Sequence, residues 1–459
     1  MENKKGVTRR EFLKGTAVVA VAAGGMKPIA AAPAILSNIS PGSTVHYGFI
    51  GTGTEGCNLL RRLTTIPQGR CIATCDIYPP NLKKGAETIG SNPVTYPDDY
   101  RKLLERKDLD AVMIATPLSL HAQMILDSLS AGKHVFVEKT MYFKEEEGDQ
   151  IQKVAEANPK QVIQIGLQRR SSVLYNVAMQ MIRKGALGKV MFVRAQWHRN
   201  NNWRRPVRDP KFERLINWRM YREYSGGLMA ELASHQIDIA NWAFGAEPLS
   251  VMGTGGIDYW KDGRETNDNI EVILEYPGGR KMLYSSILYN AHLGYDEQIL
   301  GDRGTIIITI GKGMYYREPI AKVTKGPAKE NWWAGATVSQ EAVQKGFPIF
   351  PEEGQQGEEG FVDRELLYAR RWLASMGIYE YEEPHNPYWS ELSNFMASIR
   401  DGKPIACPLQ VGMADARAVI YGNRAIDTGA KVFWSKKEAK ISSDFHGPSV
   451  RNKTKTRPV

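Results

Sequence analysis

One stretch constrains this chain more than any other, the run from Val45 to Asp76. Val45-His46-Tyr47-Gly48-Phe49-Ile50 reads as a strand. Gly51-Thr52-Gly53-Thr54-Glu55-Gly56 reads as a glycine turn opening a helix that runs through Leu63. Cys71-Ile72-Ala73-Thr74-Cys75 reads as a second strand ending at Asp76. Strand, glycine turn, helix, strand, acid is the order of a βαβ unit that holds a dinucleotide. Gly51 permits the tight turn, Gly53 keeps side chains away from a pyrophosphate, and Gly56 lets the helix pack close to the strand. The free amides of the first helical turn, around Thr54 and Glu55, hold the phosphates together with the helix dipole. Asp76 lies about 20 residues beyond the last glycine, where a carboxylate accepts hydrogen bonds from the adenosine ribose. The competing reading is an ordinary βαβ turn, because glycine-rich turns are common. Here strand, helix and acid all fall where the motif requires them. A carboxylate at Asp76 repels a 2′-phosphate, and Ile77 and Tyr78 place no cation beside it, so NAD is expected rather than NADP.

With 459 residues the chain is long enough for two domains of ordinary size. Its formal charge is +10, but no basic block is interleaved with aromatics as a single-strand nucleic-acid groove requires. The charge is read as solubility, and nucleic acid is not an expected partner. Cys57, Cys71, Cys75 and Cys407 have no metal-ligand spacing and are expected as buried free thiols, with no metal site.

Residues 1–36 read as an address. Thr8-Arg9-Arg10-Glu11-Phe12-Leu13-Lys14 precedes the apolar run Ala17–Ala23 and small residues around Ala30-Ala31-Ala32, which resembles a twin-arginine export signal. The run is too short for a permanent membrane anchor. A soluble periplasmic or exported protein, handled folded by the twin-arginine machinery with its cofactor in place, is the expectation. A basic tag before a buried helix is the competing reading.

From 37 to 168 strands and helices alternate. Asp110–Ala115, Lys133–Val137 and Gln161–Gly166 are strands, and Thr116, Pro117, His121, Glu138 and Lys139 fall at or just past their carboxyl ends, where such sheets bind ligands. From 169 to 440 the rhythm changes to a helix and then strands joined by turns such as Pro277-Gly278-Gly279. The fold class is α/β: an N-terminal Rossmann doubly wound parallel sheet plus a C-terminal α+β domain with a largely antiparallel open sheet. Residues 311–387, rich in Gly, Pro and Glu, read as a long insertion or arm, and 441–459 as a basic tail.

The glycine loop, Ala115-Thr116-Pro117, Glu138-Lys139-Thr140 and Gly226–Asp238 together resemble the glucose–fructose oxidoreductase / inositol dehydrogenase / MocA family over nearly everything after the signal. The resemblance implies a Rossmann domain holding NAD(P) and a sheet domain that covers the nicotinamide and binds a sugar or polyol. It carries Lys139 over as a catalytic residue, although the family's Glu-Lys-Pro stands here as Glu138-Lys139-Thr140. The family's acid–histidine pair appears as Glu231 and His235, with Glu in place of the usual Asp. On an α-helix Glu231, His235 and Asp238 share one face.

Oxidising a secondary alcohol sends a hydride to nicotinamide and a proton to a base. His235 is the natural base, since an imidazole changes charge near neutral pH. Lys139 is placed to stabilise a developing alkoxide, and Glu231 to orient His235 or Lys139. The plainer readings are a helix histidine bonded in the domain interface, a solvated strand-end lysine and a structural Asp238. Trp197-His198-Arg199-Asn200-Asn201-Asn202-Trp203-Arg204-Arg205 reads either as a sugar-binding loop, with His198, Asn201 and Trp203 as contacts, or as polar surface. Arg169 and Arg170 sit at the domain junction, reaching substrate or pairing acids across the interface.

The function expected is NAD-dependent oxidation of a sugar, polyol or glycoside hydroxyl with a tightly bound, recycled cofactor. The alternatives are a redox-neutral glycoside hydrolase or epimerase using transient oxidation, and a non-catalytic sugar-binding protein. The resemblance also implies a homo-dimer or homo-tetramer through the open sheet face.

Overall fold

The computed structural model describes residues 43–318, 346–350, 361–380 and 383–434. The export-signal reading and the basic tail lie outside the described residues. The first sheet contains β1 (Val45–Ile50), β2 (Gly69–Cys75), β3 (Val94–Tyr96), β4 (Ala111–Ile114), β5 (His134–Glu138) and β6 (Ile163–Gly166). Their order is β3-β2-β1-β4-β5-β6 and every pairing is parallel. β4 and β6 are buried at every residue, because helices cover both faces of a sheet built this way. The strand order reverses between β1 and β4, which opens a crevice at their carboxyl ends.

The second sheet has nine strands: β7 (Val190–His198), β8 (Ser250–Gly256), β9 (Asn269–Tyr276), β10 (Arg280–Ile287), β11 (Tyr295–Gly301), β12 (Gly304–Thr309), β13 (Lys312–Arg317), β14 (Phe347–Phe350) and β15 (Val432–Phe433). They run in the order β14-β13-β12-β11-β7-β10-β9-β8-β15. β7 and β10 pair in parallel and the other pairs are antiparallel. β12 alternates buried and part-buried residues, the pattern of a sheet with one face on a core. The expected fold class holds.

Two expectations need correction. The segment 311–387 is not simply an arm: β13, β14 and the helix Phe361–Ser375 lie within it, and Trp372 stacks on Tyr315 of β13 at 5.0 Å. The domains are also not sequential. The helix Pro387–Asp401 returns to the first sheet, where Leu392, Phe395 and Met396 share a core with Tyr47, Phe49 and Phe136. The helix Leu409–Thr428 places Val411, Met413 and Ala416 in one domain's core and Ala418, Val419 and Ala425 in the other's. All four cysteines are buried and free, as expected. Among the described residues no helix is long and apolar enough to cross a membrane.

Candidate active site

A cleft of about 490 Å³ lies where the two domains meet, beside the crevice at the carboxyl end of β1. The glycine loop forms one rim. Gly51 has φ +90, and a Cβ there would come within 2.5 Å of the Ala115 carbonyl oxygen. A Cβ on Gly56 would sit 2.0 Å from the Gly51 carbonyl oxygen, so the helix Thr54–Leu63 approaches the strand only because this residue is glycine. Gly53 faces open space, with only Asn81 within 4 Å of its built Cβ. That leaves room for a pyrophosphate against the helix start. Asp76 is braced from behind: Thr52 N–H donates to Oδ2 and Tyr78 N–H to Oδ1, each at 2.8 Å. Burial raises its pKa while these amides pull it back down. An acid fixed just past the end of β2, beside an open glycine turn at a helix start, fits the ribose and pyrophosphate of a dinucleotide.

Thr54, Glu55, Thr116, His121, Glu138 and Lys139 line the cleft, and Pro117 opens the short turn Leu118–Leu120 that leads to His121. His121 works on the backbone: its ring nitrogens lie 2.8 Å from the Thr140 carbonyl oxygen and 2.9 Å from that of Thr116, tying two strand-end loops together. Burial holds its pKa below the ordinary histidine value. Glu138 is buried, and burial with the charge of Glu55 pushes its carboxyl up to about 8.

Lys139 donates from Nζ to the carbonyl oxygens of Glu231 at 3.0 Å and Ala230 at 3.1 Å. These carbonyls belong to Met229–Ala233, which winds as a π-turn before the α-helix Ser234–Phe244. An ammonium has three donors, so one remains for a ligand. Of the three residues expected on one face, Glu231 and His235 line the cleft together and Asp238 does not. The Glu231 carboxylate accepts from Arg219 Nε at 2.7 Å, not from His235 or Lys139. Burial pushes that carboxyl up, but Arg219 and Lys139 outweigh it and hold it below the usual range.

His235 lines the cleft, 6% exposed, with its ring centre 5.9 Å from that of Trp197. Its Nδ1 is buried with no hydrogen-bond partner among the described residues. Burial, then the charges of Arg169, Lys139 and Arg199, hold its pKa well below the ordinary value. It is therefore a neutral imidazole at pH 7, able to take a proton.

The remaining candidates separate. Asn201 and Trp203 line the cleft. Arg170 and Asp238 do not: they form a buried two-pronged ion pair, with Arg170 Nη2 2.7 Å from Asp238 Oδ1 and Nε 2.9 Å from Oδ2, so the structural reading weighed for each replaces the substrate contact. Arg169 lies behind the cleft wall, 4.8 Å from the Tyr295 ring and 5.4 Å from Trp197. His198 is also off the cleft, because neighbours on a strand face opposite ways: Trp197 faces inward, while the His198 ring meets Ser285 Oγ at 2.9 Å. Arg199, Arg204, Arg205, Trp218, Arg219 and Tyr388 line the cleft without having been singled out. The Arg–Trp alternation of 197–205 and of Trp218-Arg219 was the available signal. Nothing local marked Tyr388, which arrives on the returning helix.

Comparison with known proteins places this geometry. Residues 45–166 match the family model described as "Oxidoreductase family, NAD-binding Rossmann fold", and residues 179–433 match "Oxidoreductase family, C-terminal alpha/beta domain". Inositol 2-dehydrogenase of Rhizobium meliloti (strain 1021) is 27% identical over 267 residues, covering 57% of this chain and 75% of that protein. The aldose-aldose oxidoreductase from Caulobacter crescentus, solved with glycerol, superposes with a TM-score of 0.62 at 20% identity, over 85% of this chain and 100% of that one. Levoglucosan dehydrogenase, solved with NADH and levoglucosan, superposes with a TM-score of 0.64 at 16% identity, over 85% and 99%. These two likenesses speak for the fold. With both family models matched in order along the chain, this protein belongs to the Gfo/Idh/MocA oxidoreductase family and is an NAD(P)-dependent oxidoreductase acting on a CH–OH group.

Proposed function

We propose that the protein oxidises a secondary alcohol of a sugar or polyol, with NAD bound against the glycine loop. The observation that carries this is the meeting of Lys139, from the first domain, and a neutral His235, from the second, in one cleft beside that loop. The nicotinamide, when bound, supplies the acceptor for the hydride leaving the carbinol carbon. His235 takes the hydroxyl proton as the carbonyl forms. The third N–H of Lys139 holds the substrate oxygen and stabilises its growing negative charge. Asp76 favours NAD over NADP, because its carboxylate stands where a 2′-phosphate would go.

The sugar or polyol assignment draws on the inositol 2-dehydrogenase relative. The reading extends to an exported protein whose cofactor stays with it, because a compartment outside the cytoplasm offers no nicotinamide pool to exchange with. Arg205 supports it, because Nη1 of this second-domain residue donates to Thr54 Oγ1 at 2.9 Å, a bridge across the loop that seats the phosphates. Assembly into a dimer or tetramer is proposed through the open sheet face, where Ile273 and Leu283 are each 37% exposed.

The test is the ultraviolet spectrum of the purified protein during addition of sugars and polyols one at a time. Reduced-nicotinamide absorbance should appear with the right substrate and remain with the protein on gel filtration. Release of an aglycone from a glycoside with no net reduction would favour the redox-neutral alternative. Protein that sheds all nucleotide on gel filtration would remove the case for a resident cofactor.

A further inference from the structure

The proposed chemistry uses Lys139, His235 and the glycine loop, but it leaves the charge of the cleft unexplained. Lys139, Arg199, Arg204, Arg205 and Arg219 line it, against Glu55, Glu138 and Glu231. Burial and then Glu55 push the Glu138 carboxyl up to about 8, which weakens it as a counter-charge. Most of the cations are engaged. Arg219 pairs with Glu231, and Arg204 with Glu213 and Asp262. Arg205 meets Thr54 at the phosphate-binding loop. Arg199 stands apart: it has no ion pair and no side-chain hydrogen bond to any described residue.

Its surroundings are nevertheless built. The Arg199 guanidinium lies 4.8 Å from the Trp197 ring and 6.0 Å from the Trp203 ring. Trp203 sits at φ 63, a left-handed conformation costly for a bulky residue, and its N–H is held by Asn201 Oδ1 at 2.7 Å. The turn therefore carries strain to bring the second indole beside the guanidinium. With no side-chain hydrogen bond to any described residue, the guanidinium keeps its planar N–H edge, which matches the two oxygens of a carboxylate. Trp197 also packs against His235, so one indole borders both the guanidinium and the base.

We infer that the substrate is a sugar acid, and that Arg199 grips its carboxylate while His235 and Lys139 work on a hydroxyl of the same ring. Arg205 is turned to Thr54 and Lys139 to two carbonyl oxygens, which leaves Arg199 as the cleft cation whose side chain makes no hydrogen bond to a described residue. The inference rests on the oxidoreductase reading and narrows its substrate class. Binding of the carboxylate also offsets the Arg199 charge, the smallest of the influences that hold His235 down after burial, Arg169 and Lys139.

The experiment uses the full protein loaded with NAD and matched pairs: galactose and galacturonate, glucose and glucuronate, mannose and mannuronate. Nicotinamide reduction and quenching of tryptophan fluorescence are read separately. At least one uronate should exceed its neutral partner by about 30-fold in kcat/KM, and Arg199→Met should bring that ratio down about 30-fold, to near one, chiefly through KM. Arg199→Lys should restore part of it. Equal or better use of the neutral sugar, or a ratio unmoved by Arg199→Met, overturns the inference. If no compound in either series reduces the nucleotide, quenching decides. Uronates that quench the wild type but not Arg199→Met leave the anion site standing and remove the oxidation reading. Uronates that quench no better than neutral sugars remove the anion site whatever the turnover.

Discussion

The two sides of the cleft are made in different ways. The nucleotide side comes from one short run, Val45 to Asp76, and works mainly through backbone: glycines that admit no side chain, amides at a helix start, one acid. The substrate side comes from side chains delivered by distant segments: Lys139 after β5, Trp197 and Arg199 at the end of β7, Arg219, His235 on its helix, and Tyr388 on a helix returning from the other end of the chain. A backbone site is specified by spacing along the chain. A side-chain site is specified by how the domains dock.

The contrast can be broken at its chemical centre. Lys139→Ala or His235→Ala should lower turnover on any active substrate by about 10³-fold, with the loaded protein still showing bound nucleotide after His235→Ala. Unchanged turnover in both variants would mean that neither residue does the chemistry. A stability measurement tests the docking. Asp238→Ala leaves the Arg170 guanidinium buried without its partner and should cost about 3–5 kcal/mol in denaturant unfolding. A loss under about 1 kcal/mol would show that this pair does not hold the junction.

The smallest effect expected is on pH dependence. Burial and neighbouring cations hold His235 neutral, so the acid limb of kcat/KM should lie below the ordinary histidine value of about 6.5. A limb at or above that value would argue against His235 as the base. Stability follows the same sign. The unfolded chain takes up the proton near pH 6.5 while the folded protein does not, so the melting temperature should fall as pH drops below that value. His134, held at about 4 mainly by burial, acts in the same direction.

Legibility followed the same division. Strand endings exposed Thr116, Glu138 and Lys139, because in a parallel sheet the carboxyl ends are where ligands sit. The family resemblance brought out Glu231 and His235. They share the cleft, but the Glu231 carboxylate is taken by Arg219, a partner from another segment that a count of residues does not reveal. His198 and Trp197 are neighbours in sequence, and which of them faces the cleft depends on the register of β7 in its sheet. Arg170 and Asp238, 68 residues apart, looked equally suited to a substrate and to each other until the junction closed around them.

By itself the sequence determined the nucleotide fold and the types of group the chemistry needs, because glycine sterics, helix amides and strand periodicity act over a few residues. Only the tertiary structure decided which side chains share the cleft, which cations are already engaged and which one is left over. Those outcomes depend on burial and on contacts between segments far apart in the chain, and no local rule contains them.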